Sequence, residues 1–173
     1  DTKLDASCLN SMISASDESY TDQAVRDVLA YRNEQVIALT GQWNTQTYSA
    51  NNHSMAAVLE LASAEDITLW MSEVGAGGIG LAGNLSLAQK LIDDIRYIRP
   101  EAWIDWQYVE ENNYQWCTVR GSFQNQRYWK VKNFYVRRQF TQFIQAGWRF
   151  LNVPNNKMLS ALSPGGDSLI VVA

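Results

Sequence analysis

The stretch ITLWMSEVGAGG, residues 67–78, carries an apolar run onto a carboxylate, Glu73, and passes at once into a glycine-rich turn. A buried carboxylate is costly unless it is paired or hydrogen-bonded. Glu73 therefore either lies just outside the core or is placed there for chemistry. Glycosidic bond hydrolysis is one chemistry that needs such groups, as two carboxylates flanking the scissile bond. One acts as nucleophile, or as base on a water, and the other protonates the leaving oxygen. Glu73 suits the first role. Asp17, Glu18, Glu110 and Glu111 are weaker candidates, since side chains at loop tips are usually just solvated.

Other chemistries are poorly provided for. A single histidine, His53, and two distant cysteines, Cys8 and Cys117, do not make the usual nitrogen and sulfur set for a metal. No metal or other cofactor is expected. No nucleophile elbow surrounds a serine, and a Ser-His-Asp triad would have to use His53. The run GAGGIG, residues 75–80, lacks the Gly-Lys-Ser/Thr ending of a phosphate loop, and Glu73 beside it would repel phosphate. It reads as a flexible loop.

Composition narrows the partners. The chain has 173 residues, 46% hydrophobic and 18% charged, as expected for one globular domain of ordinary size. The net charge of −4, with no long basic run, argues against nucleic acid. No apolar run approaches the roughly 20 residues that span a bilayer. The two cysteines could pair, but two are weak evidence of an oxidising compartment. Two N-x-S acceptors, Asn52-His53-Ser54 and Asn84-Leu85-Ser86, would be surface glycosylation candidates in a secreted eukaryotic protein. Seven tryptophans are many, and flat indole faces suit sugar rings, although any single Trp is more often core. With no initiator Met and no signal peptide, the chain reads as processed or as a piece of something longer.

The candidate residues need a scaffold, and the pattern supplies one. Residues 8–19, 36–50, 67–73 and 102–110 read as strands. Residues 19–33, 54–66, 85–100 and 128–145 read as helices. Strand and helix alternate four times, which implies βαβ units and a parallel sheet. The short runs GWRFLNV, KMLSALS and DSLIVVA, separated by prolines and glycines, resemble the start of a small antiparallel module. In parallel α/β sheets, active groups gather at the carboxyl ends of strands. Here those ends carry Asp17 and Glu18, then Asn44 to Tyr48 with Gln46, then Ser72 and Glu73, then Trp106 to Glu111. The strand beginnings are blander, and this asymmetry marks one end of the sheet as a site.

Several of these pieces resemble one known family. LWMSEVG resembles the strand-seven signature of clan A glycoside hydrolases, in particular family 30. AWIDWQYVEENNYQWC is similar to that family's strand eight, and YVRRQFTQFIQAGWRF to its last helix and the start of its side β-domain. SASDES and NTQTY match strands five and six. The similarity covers nearly the whole chain, in the right order. It implies units five to eight of a (β/α)8 barrel over residues 1–146, then a partial side β-domain over 147–173. It implies that Glu73 is the catalytic nucleophile, that Tyr48 donates a hydrogen bond to it, and that Trp106 is a platform under the sugar. Asp17, Glu18, Asn44 and Gln46 would bind sugar hydroxyls, with Gln46 standing where the family often has His. The resemblance further implies that the acid/base Glu, which follows strand four in the family, lies outside these 173 residues. The nearest flavour is that of secreted enzymes acting on β-1,6-galactan, with xylan and β-1,6-glucan as alternatives.

Half a barrel would bare two sheet edges and a large, largely apolar inner surface. The expected partner is therefore a second chain, either a separate N-terminal half or a second copy, besides the oligosaccharide or polysaccharide. Two functions compete at this point: a portion of a retaining glycosidase, or a carbohydrate-binding or interaction protein that has lost hydrolysis.

Overall fold

The computed structural model describes residues 11–173. Cys8, and with it any pairing to Cys117, lies outside the described residues; Cys117 is buried. The chain divides into two compact units. One is built from the chain up to Val74 together with Tyr97–Ile104, the other from Gly75–Arg96 and Asp105–Ala173.

The first unit holds a mixed α/β arrangement. In chain order it comprises β1 (Ile13–Glu18), α1 (Thr21–Tyr31), α2 (Glu34–Leu39), β2 (Thr40–Gln46), α3 (Asn52–Ala64) and β3 (Thr68–Val74). After helix α4 (Gly80–Tyr97), β4 (Ala102–Asp105) completes a four-stranded sheet in the order β1-β2-β3-β4. The pairs β1–β2 and β2–β3 are parallel, as the alternation predicts. Helix α1 buries Thr21, Ala24 and Val28, spaced by three and four residues, and α3 buries Met55, Val58 and Ala62 in the same way. The two helices meet through a buried hydrogen bond between Thr21 Oγ1 and Ser54 Oγ (2.5 Å). Asn51 caps α3 by accepting from the Ser54 N–H at 3.0 Å, within a capping box.

Strand alternation decides what each face of the sheet carries. Trp43, Thr45, Leu69 and Met71 face the helices and are buried. Burying Leu69 and Met71 stabilises by roughly 1.5–3 kcal/mol each. The opposite face is polar along β1 and β2, where an apolar surface was expected. There Asn44 Nδ2 donates to Ser14 Oγ (2.7 Å), and Gln42 Nε2 donates to Asn44 Oδ1 (2.5 Å). The physical reason is the period of two: Trp43, Leu69 and Met71 are spent under the helices, and of the large apolar residues of β2 and β3 only Trp70, opposite Asn44, is on the other face.

The second and fourth strands are bounded differently from the sequence reading. Residues 36–39, read as the start of a strand, lie in α2, because Asn33 caps that helix by accepting from the Val36 N–H (3.1 Å). The fourth strand stops at Asp105 rather than running to residue 110.

The second unit contains α4 up to Arg96, a three-stranded sheet of β5 (Val109–Glu110), β6 (Val119–Ser122) and β7 (Arg127–Lys130), helix α5 (Lys132–Thr141), and an antiparallel sheet of β8 (Arg149–Leu151), β9 (Leu159–Leu162) and β10 (Leu169–Val172). Residues 128–130, read as the first turn of a helix, are strand β7, paired antiparallel with β6. The antiparallel order β10-β9-β8 matches the three short runs read from sequence. Its β8–β9 loop is lashed to α4: Arg96 Nη1 donates to the Val153 carbonyl (2.9 Å) and Gln89 Nε2 to the Asn156 carbonyl (2.8 Å).

The glycine run read as a flexible loop is closely packed within this unit. Gly77 has φ +132°, and a Cβ there would lie 2.6 Å from Asn133 Nδ2. Asn133 is 2% exposed and donates to the Gln115 carbonyl at 2.7 Å. Only glycine fits at that approach.

Candidate active site

Register places the candidate groups at the carboxyl end of the parallel sheet. Up to Met71 the pairing of β3 with β2 is regular, with Trp43 opposite Leu69 and Thr45 opposite Met71. The register then slips by one, so that Glu73, and not Ser72, stands opposite Gln46. An extra residue of this kind re-aims the side chains beyond it. Simple alternation would send Glu73 to the helix-covered side with Met71. The bulge sends it instead to the side of Asn44 and Gln46. There Tyr48 Oη donates to Glu73 Oε1 at 2.7 Å. Glu73 is half-buried, and Tyr48 is 44% exposed. This resolves the cost of a carboxylate at the end of an apolar run: it leaves the core by a bulge and meets a donor.

A second bulge acts on β1. Ser16 pairs with Asn44, but Glu18 pairs with Thr45, leaving Asp17 as the extra residue, with φ +97°. Asp17 therefore points to the polar side, where Ser72 Oγ donates to its carboxylate. Glu18, expected beside Asp17 as a sugar contact, shares instead the helix-covered side with Thr45 and faces Asp27 of α1. Burial first, then the Asp27 and Asp17 carboxyls, push its carboxyl above the ordinary glutamate range. The two neighbouring acids are thus separated by backbone geometry.

Asn44 is held by Ser14 and Gln42, and Gln46 lies half-buried opposite Glu73. Trp106 follows β4 directly, belongs to the second unit, and is 45% exposed. Glu110 and Glu111 are builders of their own loop. Glu110 Oε1 accepts from the Glu111 N–H (2.9 Å) and the Asn112 N–H (3.1 Å), and these donors hold its carboxyl below the ordinary range. Glu111 Oε1 accepts from the Phe123 N–H (2.9 Å). His53 is exposed at the first turn of α3. No group of three or more His, Cys, Asp or Glu suited to a metal ion occurs among the described residues. Likewise, no described helix is long and apolar enough to cross a membrane.

Sequence reasoning missed three features of the second unit. Asp105 is bound by Arg137 Nη2 and by Thr118 Oγ1 (3.1 Å), with side chains 16% exposed for Asp105 and 10% for Arg137. The partners lie 32 residues apart, so no local pattern could reveal them. Asn133 is a second buried hub, accepting from Asn84 Nδ2 at 2.9 Å. The third feature is a cavity of about 620 Å³ beside the β6–β7 hairpin, with Tyr108, Phe123, Tyr128 and Phe134 in its wall.

No protein-family model matches the chain. It is 26% identical over 172 residues to a curated endo-β-1,6-galactanase of Hypocrea rufa, covering 99% of this chain and 35% of that protein. Its fold matches a family 30 endoxylanase of Clostridium papyrosolvens with a TM-score of 0.68 at 16% identity, over 90% of this chain and 39% of the other. It also matches the catalytic domain of a family 30 xylanase C of Talaromyces cellulolyticus, with a TM-score of 0.69 at 12% identity, over 98% and 40% of the two chains. The chain thus spans about two fifths or less of the proteins it matches. The likeness to the galactanase runs along nearly the whole chain, and the fold is that of family 30 glycoside hydrolase structures over the part of them that the chain covers.

Proposed function

We propose that the chain is the C-terminal portion of a retaining glycoside hydrolase that cleaves a β-linked polysaccharide of the β-1,6-galactan type, with Glu73 as nucleophile. The observation that carries this reading is the hydrogen bond from Tyr48 Oη to Glu73 Oε1, 2.7 Å, at the carboxyl end of a parallel sheet. In this reading β1 to β4 and their helices are units five to eight of a (β/α)8 barrel over residues 1–146, and residues 147–173 begin a side β-domain. A Glu73 carboxylate oxygen attacks the anomeric carbon, and the bond from that carbon to the leaving oxygen breaks. The leaving oxygen takes its proton from an acid supplied outside this chain. Water, giving its proton back to that group, then hydrolyses the glycosyl ester and frees Glu73. Tyr48 fixes the nucleophile, Trp106 is a platform for the sugar, and Asp17, Asn44 and Gln46 contact its hydroxyls. Glu18 is left out of this set, because its register with Thr45 and its neighbour Asp27 favour the helix side of the sheet. The work is extracellular, and the remaining barrel units, with the acid, lie outside residues 1–173.

Support comes from the galactanase relative and from the polar, bulged strand ends. The test is covalent labelling with an activated 2-fluoro galactoside, with the N-terminal half supplied as a separate chain. The expected result is one glycosyl unit on Glu73, absent from Glu73→Gln. A label on another residue, or one that survives the substitution, overturns the reading.

A second reading, carbohydrate binding without hydrolysis, is favoured by the aromatics exposed in the second unit, among them Tyr108 at 65% and Tyr128 at 76%. It expects oligosaccharide binding that persists undiminished in Glu73→Gln.

A further inference from the structure

The two N-x-S acceptors play no role in the site above, and the structure separates them sharply. Asn52 is the first residue of α3 and is exposed. Its side chain is not needed to start the helix, because Asn51 provides the cap. Its amide nitrogen is therefore open to a bulky substituent. Asn84 lies inside α4, and its Nδ2 donates to Asn133 Oδ1 at 2.9 Å. Asn133 is buried and passes its own amide to the carbonyls of Gln115 (2.7 Å) and Cys117 (3.4 Å). The neighbouring Gly83 packs so closely on Gly78 that a Cβ would lie 2.5 Å from the Gly78 Cα. The nitrogen that would carry a sugar on Asn84 thus points into packed interior. A glycan there would displace the amide from Asn133 and force apart segments that have no room to spare.

We infer that, when this chain passes through a eukaryotic secretory pathway, Asn52 carries an N-linked oligosaccharide and Asn84 stays bare in the folded protein. The donor is a polyprenyl-pyrophosphate oligosaccharide. The Asn52 Nδ2 forms a bond to the sugar C1 and the bond from C1 to the pyrophosphate oxygen breaks. The lipid pyrophosphate leaves with the electron pair, and the amide gives up one proton to a base of the transferase. Transfer takes place on the nascent chain, before folding. The structure therefore acts by selection: a chain modified on Asn84 does not close around Asn133. Asn52 follows Tyr48 by four residues, a span of at most about 14 Å of extended chain. The glycan consequently stands at the same end of the first unit's sheet as Glu73. This inference holds whether or not Glu73 is a nucleophile, and its readout is a mass.

The test is translation of the full chain behind a cleavable secretion signal into eukaryotic microsomes, followed by mild proteolysis to keep only the folded fraction. Peptide N-glycosidase in ¹⁸O-water then marks each occupied asparagine. Isotope incorporation at Asn52 alone is expected, and Asn52→Gln should remove the single glycan. Asn84→Gln, which loses the bond to Asn133, should leave the Asn52 glycan in place; should it fold poorly, Ser86→Ala destroys the same acceptor with the amide intact. A folded fraction bare at Asn52, or one marked at Asn84, overturns the inference.

Discussion

Glu73 and Asp105 each close an apolar strand, yet the two units treat them in opposite ways. Glu73 emerges on a bulge, half-exposed, with the hydroxyl of Tyr48 as donor. Asp105 is drawn inward, with Arg137 and Thr118 on its oxygens and Arg137 tied on to the Trp116 carbonyl at 3.1 Å. A carboxylate meant to react must keep an approach open and tolerate a change of charge. A carboxylate meant to hold structure is best paired with a guanidinium that never gives up its proton. The first arrangement leaves a group available, and the second consumes it.

If that contrast is right, Glu73→Gln should have the largest effect on function and a small one on stability. With the other half supplied, hydrolysis of a β-1,6-linked oligosaccharide should fall by about 10⁴-fold or more. Urea unfolding of the variant should stay within about 0.5 kcal/mol of the parent. A large loss of stability would make Glu73 a structural carboxylate like Asp105. The reverse profile belongs to Arg137→Met, which strands the Asp105 carboxyl in a poorly solvated place. Breaking one side of such a pair costs about 3–5 kcal/mol. Most of that should return in the double variant with Asp105→Asn, since both charges are then gone. A double variant no better than the single would show that the guanidinium supports packing, and not the carboxylate. A smaller effect is expected from Tyr48→Phe, which removes one hydrogen bond to Glu73 at a site where Tyr48 is 44% exposed and water can replace the hydroxyl. Turnover should drop at least about tenfold with the melting temperature almost unchanged.

The difference between the two carboxylates was only half legible in the sequence. Alternating strand and helix patterns place four strand ends together, and the parallel order follows from them. The position of Glu73 could be read because it ends an apolar run, whereas Tyr48 follows the polar stretch Asn44 to Thr47 and its pairing with Glu73 was implied only by the family resemblance. The bulges at Asp17 and Ser72 could not, since a period-two reading assumes an unbroken alternation. That is why Asp17 and Glu18 look alike in sequence and lie on opposite faces in the fold. Helix α2 was hidden by the β-branched and apolar run Val36 to Leu39, although Asn33 followed by Glu34 is a helix-start signal. Strand β7 was hidden by an adjoining helical pattern, and its turn bends at Gln126, φ +52°, where no glycine marks it. The Asp105–Arg137 pair and the Asn84–Asn133 contact join residues 32 and 49 apart. Only the folded chain brings them together.

The smallest expected effect concerns protons. Burial pushes the Asp105 carboxyl above the ordinary aspartate value of 3.8, against the pull of Arg137 and Thr118. A carboxyl raised in the folded state contributes stability that is fully present below the unfolded value and is lost as pH rises through the folded value. The unfolded chain releases the proton first, so the loss begins near pH 3.8 and levels off once the folded group has ionised too. Glu18 in the first unit has the same sign. Glu110 and Asp167 have the opposite one: their hydrogen bonds hold them low, and the stability they lend fades on acidification. A pH series on the parent alone mixes these contributions, whereas the difference between parent and Asp105→Asn isolates one. That difference should shift against the parent as pH rises from about 4, with a constant offset for the lost ion pair. A difference that moves in the parent's favour over the same range would mean that Arg137 outweighs burial. Asp105 would then be a carboxylate stabilised as an ion, and its contrast with Glu73 would rest on access alone.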